Sequence, residues 1–176
     1  MRHLKTLGPV PILWDRWRLA NPFAPRLLVT DLLAASSPGE LVFDLKGRDR
    51  RLAEELVAAL AARLARGWPT TVCARHWPLL EAFAGVPGVR LVHSVGSARG
   101  LRRLRRRLGT RRIQGITIHE RLLDSRAVTD LRSHADTIMT WPVNTLERAQ
   151  ELARWGVDGL ISDRPGLIKS GIGADV

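Results

Sequence analysis

Short apolar runs alternate along this chain with stretches of helical periodicity. The first clear run is Leu41-Val42-Phe43-Asp44-Leu45-Lys46, and Leu52, Leu56, Leu60 and Leu64 follow at a spacing of four, with Gly67 as a stop. Thr70 to Ala74 reads as a second strand and Trp77 to Phe83 as a short helix. Arg90 to Ser94 is a third strand, and Leu101, Leu104 and Leu108 mark the buried stripe of the helix after it, closed by Gly109. Gly115 to His119 is a fourth strand, with a helix around Ser125 to Ser133. Asp136 to Trp141 is a fifth, and Asn144 with Glu147 three residues on has the spacing of a capping box for the next helix. Gly159 to Asp163 is a sixth, with a short last helix expected after Pro165.

The order is therefore a strand followed by a helix, six times over, at about 20 to 25 residues per unit, which predicts a parallel sheet with right-handed crossovers. An open doubly wound sheet would carry a glycine-rich phosphate loop after an early strand, and neither G-x-G-x-x-G nor a P-loop pattern occurs. A closed barrel instead places polar groups at the C-terminal ends of many strands. Asp44 and Lys46, Arg75, His93 and Ser94, His119 and Glu120, Trp141 and Asp163 all stand at such ends. The expected fold is α/β, a parallel (β/α)8 TIM-barrel type, with about six of eight units present. A whole barrel of this kind takes about 250 residues, and this chain has 176. Residues 1–40, with Pro9, Pro11, Pro22 and Pro25, read as a loop with one short helix from about Pro25 to Ala35. The expected organisation is a single domain, residues 1–176, with the six units over 41–168 and a tail over 169–176.

Composition changes this picture little. Hydrophobic residues make up 45% and charged residues 26%, as in a globular domain, and no apolar run approaches the roughly 18 residues that span a bilayer. The start, Met1-Arg2-His3-Leu4-Lys5, does not resemble a signal or transit peptide, so the cytoplasm is the expected compartment. Cys73 is the only cysteine, which excludes a disulfide framework and a thiolate metal cluster. The net charge of +11 is nearly all arginine and is densest from Arg99 to Arg112. That run is either a nucleic-acid or phosphate surface or the solvated face of the helix whose other face carries the leucines. No aromatic residue interleaves with it as a base-stacking platform would require, so nucleic acid ranks last among partners.

Several residues could carry chemistry. Asp44 and Lys46 lie two apart in a strand and share a face, which in a barrel is the interior. They are either a metal-binding carboxylate beside a phosphate-binding ammonium or a buried ion pair. His93 and His119 end apolar strands and are either acid–base groups or core histidines. Trp141 offers an apolar wall or packing, and Asn144 suits a helix cap. Asp163 is either a site carboxylate or the cap of the last helix. His3, alone at the N-terminus, carries no signal of its own.

The stretch TIMTWPVNTLERAQELARWGVDGLISDRP resembles the end of the glycerophosphodiester phosphodiesterase family. There the last two units read W-T-V-N, then a helix, then G-V-D-G-I-I-T-D-x-P. Trp141, Val143, Asn144, Gly156, Val157, Asp158, Gly159, Asp163 and Pro165 fall in place, while Pro142 and Ser162 replace the usual threonines. ELVFDLKG is similar to the family's E-[IL]-K strand, with Asp44 in the position of a metal-binding glutamate and Lys46 in that of the family lysine. APRLLVTDLL resembles the helix before that strand, so the likeness covers residues 24–168. MRHLKTLG resembles a remnant of the family's second catalytic histidine segment, with His3 as the histidine and Leu4 where aspartate is usual.

The resemblance implies a metal-dependent hydrolase that converts glycerophosphodiesters to glycerol 3-phosphate and an alcohol. It implies His3 and Lys46 as catalytic residues, Asp44 as a metal ligand, and a divalent cation, Mg2+ or Ca2+, at an incomplete site. Arg75, His119 and Trp141 are the expected substrate-binding residues. The family's H-R-G and E-x-D motifs do not occur in this chain. Met1 is therefore expected to be an internal or alternative start, with about 70 residues before it. The alternative is a non-catalytic relative that binds a phosphate ester or pairs with a partner, or with itself, through unpaired barrel edges.

Overall fold

The computed structural model describes residues 2–7, 10–15, 18–19, 28–35, 38–164 and 166, with side chains from residue 28 onward. The chain forms two compact units, Met1–Ser36 and Ser37–Val176.

In the first unit, β1 (Arg2–Leu7), β2 (Val10–Asp15) and β3 (Arg18–Leu19) form an antiparallel sheet in that order, followed by α1 (Val29–Ala34). The register runs from Leu7 opposite Val10 out to Arg2 opposite Asp15. The loop expected here from the prolines is thus strand over much of its length. Pro11 is compatible with a strand because β3 pairs only with Trp14 and Asp15. Among the described residues Pro11 therefore pairs on one side only, with Thr6 of β1, where a missing N–H is tolerated. The helix is shorter than the expected Pro25 to Ala35, and residues 20–27 lie outside the described ones.

The second unit is a parallel sheet of β4 (Leu41–Leu45), β5 (Thr70–Ala74), β6 (Val89–Val95), β7 (Ile113–His119), β8 (Ala135–Trp141) and β9 (Gly159–Leu160). Strand order in space follows strand order in the chain, from β4 to β9. A doubly wound sheet reverses its order at a switch point, and none occurs among these six strands. The crossovers are α2 (Arg50–Ala65), a 3-10 helix (Trp77–Phe83), α3 (Ala98–Leu108), α4 (Ser125–Arg132) and α5 (Leu146–Arg154). One core joins Leu101, Leu104 and Leu108 of α3, Val128 and Leu131 of α4, and Ala149 and Leu152 of α5 to Val95, Ile116, Ile118 and Ile138 of the sheet. The opposite sheet face has its own cluster, Cys73, Val92 and Met139. With α3 to α5 on one face only, the sheet curls into part of a (β/α)8 barrel.

Side chains set each crossover. Asp49, Ser97, Asp124 and Thr145 cap α2, α3, α4 and α5 by accepting from the amides of Arg51, Gly100, Ala127 and Arg148. Asn144 was the expected cap of α5, and that position belongs to Thr145. In α2 the buried positions are Ala53, Leu56, Leu60 and Arg63, while Leu52 is 58% exposed. A spacing of four outruns the 3.6-residue turn, so the leucine stripe drifts off the buried face. Arg63 is held by Thr70 Oγ1 at 3.1 Å, by the Pro69 carbonyl at 2.9 Å and by the Gly39 carbonyl.

The sixth strand is two residues long, shorter than the expected Gly159 to Asp163. Its placement depends on Asp158. The Asp158 amide donates to the Ile138 carbonyl at 2.9 Å, and its carboxylate accepts from the Ile138 amide at 2.6 Å and from Arg132 Nη2 at 2.7 Å. Gly159 then lies against Met139, where a Cβ would stand 2.7 Å from Met139 Cγ. The short helix expected after Pro165 lies outside the described residues.

Replacing Asp158 with Ala removes two charged hydrogen bonds. Urea unfolding is expected to show a loss of about 1–3 kcal/mol, with a smaller loss for Asp158→Asn, which keeps one acceptor oxygen.

Candidate functional site

Alternation along each strand sends one set of residues to the helices and the other to the concave face. Val92 and Cys73 mark the concave side. On that side, at the C-terminal strand ends, stand Asp44 and then Lys46 just beyond β4, Arg75 just beyond β5, Ser94 of β6, His119 of β7 and Trp141 of β8. Of the expected strand-end residues, His93, Glu120 and Asp163 are the ones not placed on that face by the alternation.

His93 faces the other way. Its ring lies 5.6 Å from the Trp77 ring, on the helix side of β6. Its Nδ1 is buried without a partner among the described residues. Burial, and then the nearby Arg107 guanidinium, lower its pKa from the ordinary 6.5. It is a core histidine, and the concave position beside it belongs to Ser94.

Asp44 and Lys46 form an ion pair, but not a buried one: their side chains are 35% and 56% exposed. Among the described strands β4 pairs only with β5. Asp44 sits opposite Cys73 in the ladder. Burial, and then the charge of Asp44, push the Cys73 thiol up to about 12, so it is neither a nucleophile nor a ready metal ligand near neutral pH.

Three groups converge on the other side. The His119 and Trp141 rings meet edge to face at 4.8 Å, and the Arg75 guanidinium lies over the Trp141 ring at 4.7 Å. His119 Nδ1 accepts from the Arg121 amide at 3.2 Å, which leaves the neutral ring's proton on Nε2. The turn after His119 is anchored from behind, because Arg148 of α5 bonds Glu120 Oε2 at 3.0 Å and the Glu120 and Leu123 carbonyls at 2.8 and 3.2 Å. Thr117, two residues before His119 on the same face, has a buried hydroxyl with no partner among the described residues. No motif marked Thr117.

Asn144 links the last two units. Its Oδ1 accepts from the Asp163 amide at 3.0 Å and from Ser162 Oγ at 3.2 Å. The two motifs of the C-terminal stretch are thus joined by hydrogen bonds as well as by spacing. Asp163 itself is exposed, and Ser162 Oγ accepts the following amide of Arg164 at 2.8 Å.

His3 lies in β1 opposite Trp14, with its side chain outside the described ones. Among the described residues no group of three or more His, Cys, Asp and Glu is placed to hold a metal ion. Asp44, the carboxylate expected as a ligand, is engaged by Lys46. The described residues do not by themselves fit a divalent cation, which takes six or more oxygen ligands. No described helix is long and apolar enough to cross a membrane.

No protein-family model and no curated protein matches this chain. Solved structures do. A phosphodiesterase from Oleispira antarctica, in complex with the product sn-glycerol-3-phosphate, matches with a TM-score of 0.57 and 25% identity, over 74% of this chain and 54% of its own. A glycerophosphodiester phosphodiesterase from Parabacteroides distasonis matches at 0.58 and 21%, over 74% and 56%. A protein from Silicibacter pomeroyi, named provisionally for the same activity, matches at 0.60 and 23%, over 74% and 49%. The chain spans about half the length of these neighbours. Its described barrel portion has the glycerophosphodiester phosphodiesterase fold, as a partial (β/α)8 barrel.

Two titrations test the burial of His93 and Cys73. A depressed histidine pKa means that the unfolded chain takes up the proton more readily. Stability from a neutral His93 is then present above pH 6.5 and falls as pH drops below it. Urea unfolding at a series of pH values should show that slope, and His93→Phe should flatten it. A raised thiol pKa works the other way, and Cys73 is expected to resist an aromatic disulfide reagent at about pH 8 until urea unfolds the chain.

Proposed function

We propose that this chain carries part of a phosphodiesterase site, acting on glycerophosphodiesters to yield glycerol 3-phosphate and an alcohol. The observation that carries the reading is the placement of Lys46, Arg75, His119 and Trp141 on one concave face, at the strand ends where a (β/α) barrel places its chemistry. The fold shared with the phosphodiesterases supports it.

In this reading the Lys46 ammonium stabilises negative charge on the phosphoryl oxygens. His119, with its proton on Nε2, donates a hydrogen bond to the same group. Trp141 forms the apolar wall beside it. His3 is the proposed acid–base group, through its likeness to the family's histidine segment. A Mg2+ or Ca2+ requirement follows from the resemblance, and Asp44 would supply one ligand. The described residues do not complete such a site, so further carboxylates would be needed from elsewhere.

A second reading, a binder of phosphate esters without turnover, is favoured by the Asp44–Lys46 pair and by the lack of a metal-holding group among the described residues.

Release of choline from glycerophosphocholine, measured with Mg2+ or Ca2+ and again with chelator, separates the two. Turnover that falls by about a hundredfold or more in Lys46→Ala and His3→Ala supports the hydrolase. A folded chain with no turnover in either metal supports the second reading.

A further inference from the structure

We infer that Arg75 is an anion clamp, through which this chain binds a phosphate monoester whether or not it hydrolyses a diester. Arg75 stands just beyond β5, while Trp141 ends β8, three strands away in the sheet order. The guanidinium nevertheless lies 4.7 Å from the centre of the Trp141 ring, so the side chain reaches across the concave face. Its path runs beside Gly96, just beyond β6. A Cβ on Gly96 would stand 3.1 Å from Arg75 Cζ and 3.2 Å from Nη2, so any side chain there would crowd the guanidinium, and one as large as valine more so.

Three features make this an anion site rather than a packing contact. The ring holds one face of the guanidinium, which leaves the N–H groups at its edge pointing outward. Arg75 is exposed and has no carboxylate partner among the described residues. Its neighbour cation on this face, Lys46, is already engaged by Asp44. Among the strand-end residues of this face, Arg75 is therefore the planar cation that no described carboxylate engages. Such a fork matches two oxygens of one phosphate, and a dianionic monoester complements it better than a monoanionic diester. The Nε2–H of His119, on the other flank of Trp141, provides a further donor.

The inference draws on the preceding reading only for its choice of probe. The test titrates the 176-residue chain with inorganic phosphate and with sn-glycerol 3-phosphate by calorimetry, alongside Arg75→Ala, Arg75→Lys, Gly96→Val and Arg102→Ala. Arg75→Ala is expected to weaken binding about tenfold or more. Arg75→Lys should recover only part, because an ammonium presents no planar fork. Gly96→Val leaves the net charge unchanged and should still weaken binding. Arg102→Ala, which removes a charge from α3, should not. No binding by the parent chain at about ten millimolar ligand would overturn the inference. So would equal losses in Arg75→Ala and Arg102→Ala, or full affinity in Gly96→Val. Binding without turnover would retain the clamp and reject the hydrolase, and turnover with no monoester binding would do the reverse.

Discussion

Two hydrogen bonds between Ile138 and Asp158 set the geometry on which the concave rim depends. The amide of each residue is satisfied by the other, one through a carbonyl and one through a carboxylate. That exchange fixes where β8 takes up its neighbour β9. It also fixes the face on which each β8 side chain emerges, because successive residues alternate. Ile138 goes into the helix-side core, and Met139 and Trp141 go to the concave side. A slip of one residue would bury Trp141 beneath the helices and leave Arg75 and His119 without their common contact.

The same region shows why the last two units are recognisable by pattern. Asp158 pairs backbone to backbone across the sheet, Gly159 makes room for Met139, and Asn144 holds the segment after β9. Each is a requirement that few other residue types meet. The β4 end has weaker requirements. Its exposed pair, Asp44 and Lys46, satisfies itself locally, and a glutamate in place of Asp44 could make the same contact. Resemblance at this end therefore rests on fewer constraints.

The alternation of strands and helices was legible because each helix buries one stripe and each strand has an apolar core run. The one-directional strand order was implied by the polar strand ends, and the sheet bears it out. Other features were hidden for physical reasons. The antiparallel strands near the N-terminus carry Pro11 where, among the described residues, only one side of β2 is paired, and a proline in the sequence does not say which side of a strand is paired. His93 and Ser94 are adjacent, so a run of apolar residues cannot decide which one faces the helices. Arg75 was visible as a strand-end residue, but its reach to Trp141 was not, because it depends on the absent side chain of Gly96. Asn144 and Thr145 are both good caps, and the choice between them depends on a partner 19 residues away.

The side-chain ties in the second unit are unevenly spread along the sheet. Arg132, Arg148, Asn144 and Asp158 all brace the β7 to β9 end, with Glu120 as a further anchor. At the β4 end the ties gather at the start of the strand, where Glu40 holds Thr71 and Arg90 and Arg63 holds the Gly39 carbonyl, while the Asp44–Lys46 pair at its other end is partly exposed. Cooperative opening follows the weakest packing. Excursions at the strand ends are therefore expected to be larger at Lys46 than around Trp141. Lys46 would then sample a range of positions relative to a fixed Arg75 and His119. The ammonium is the adjustable element of the rim, and the guanidinium is its fixed point of reference.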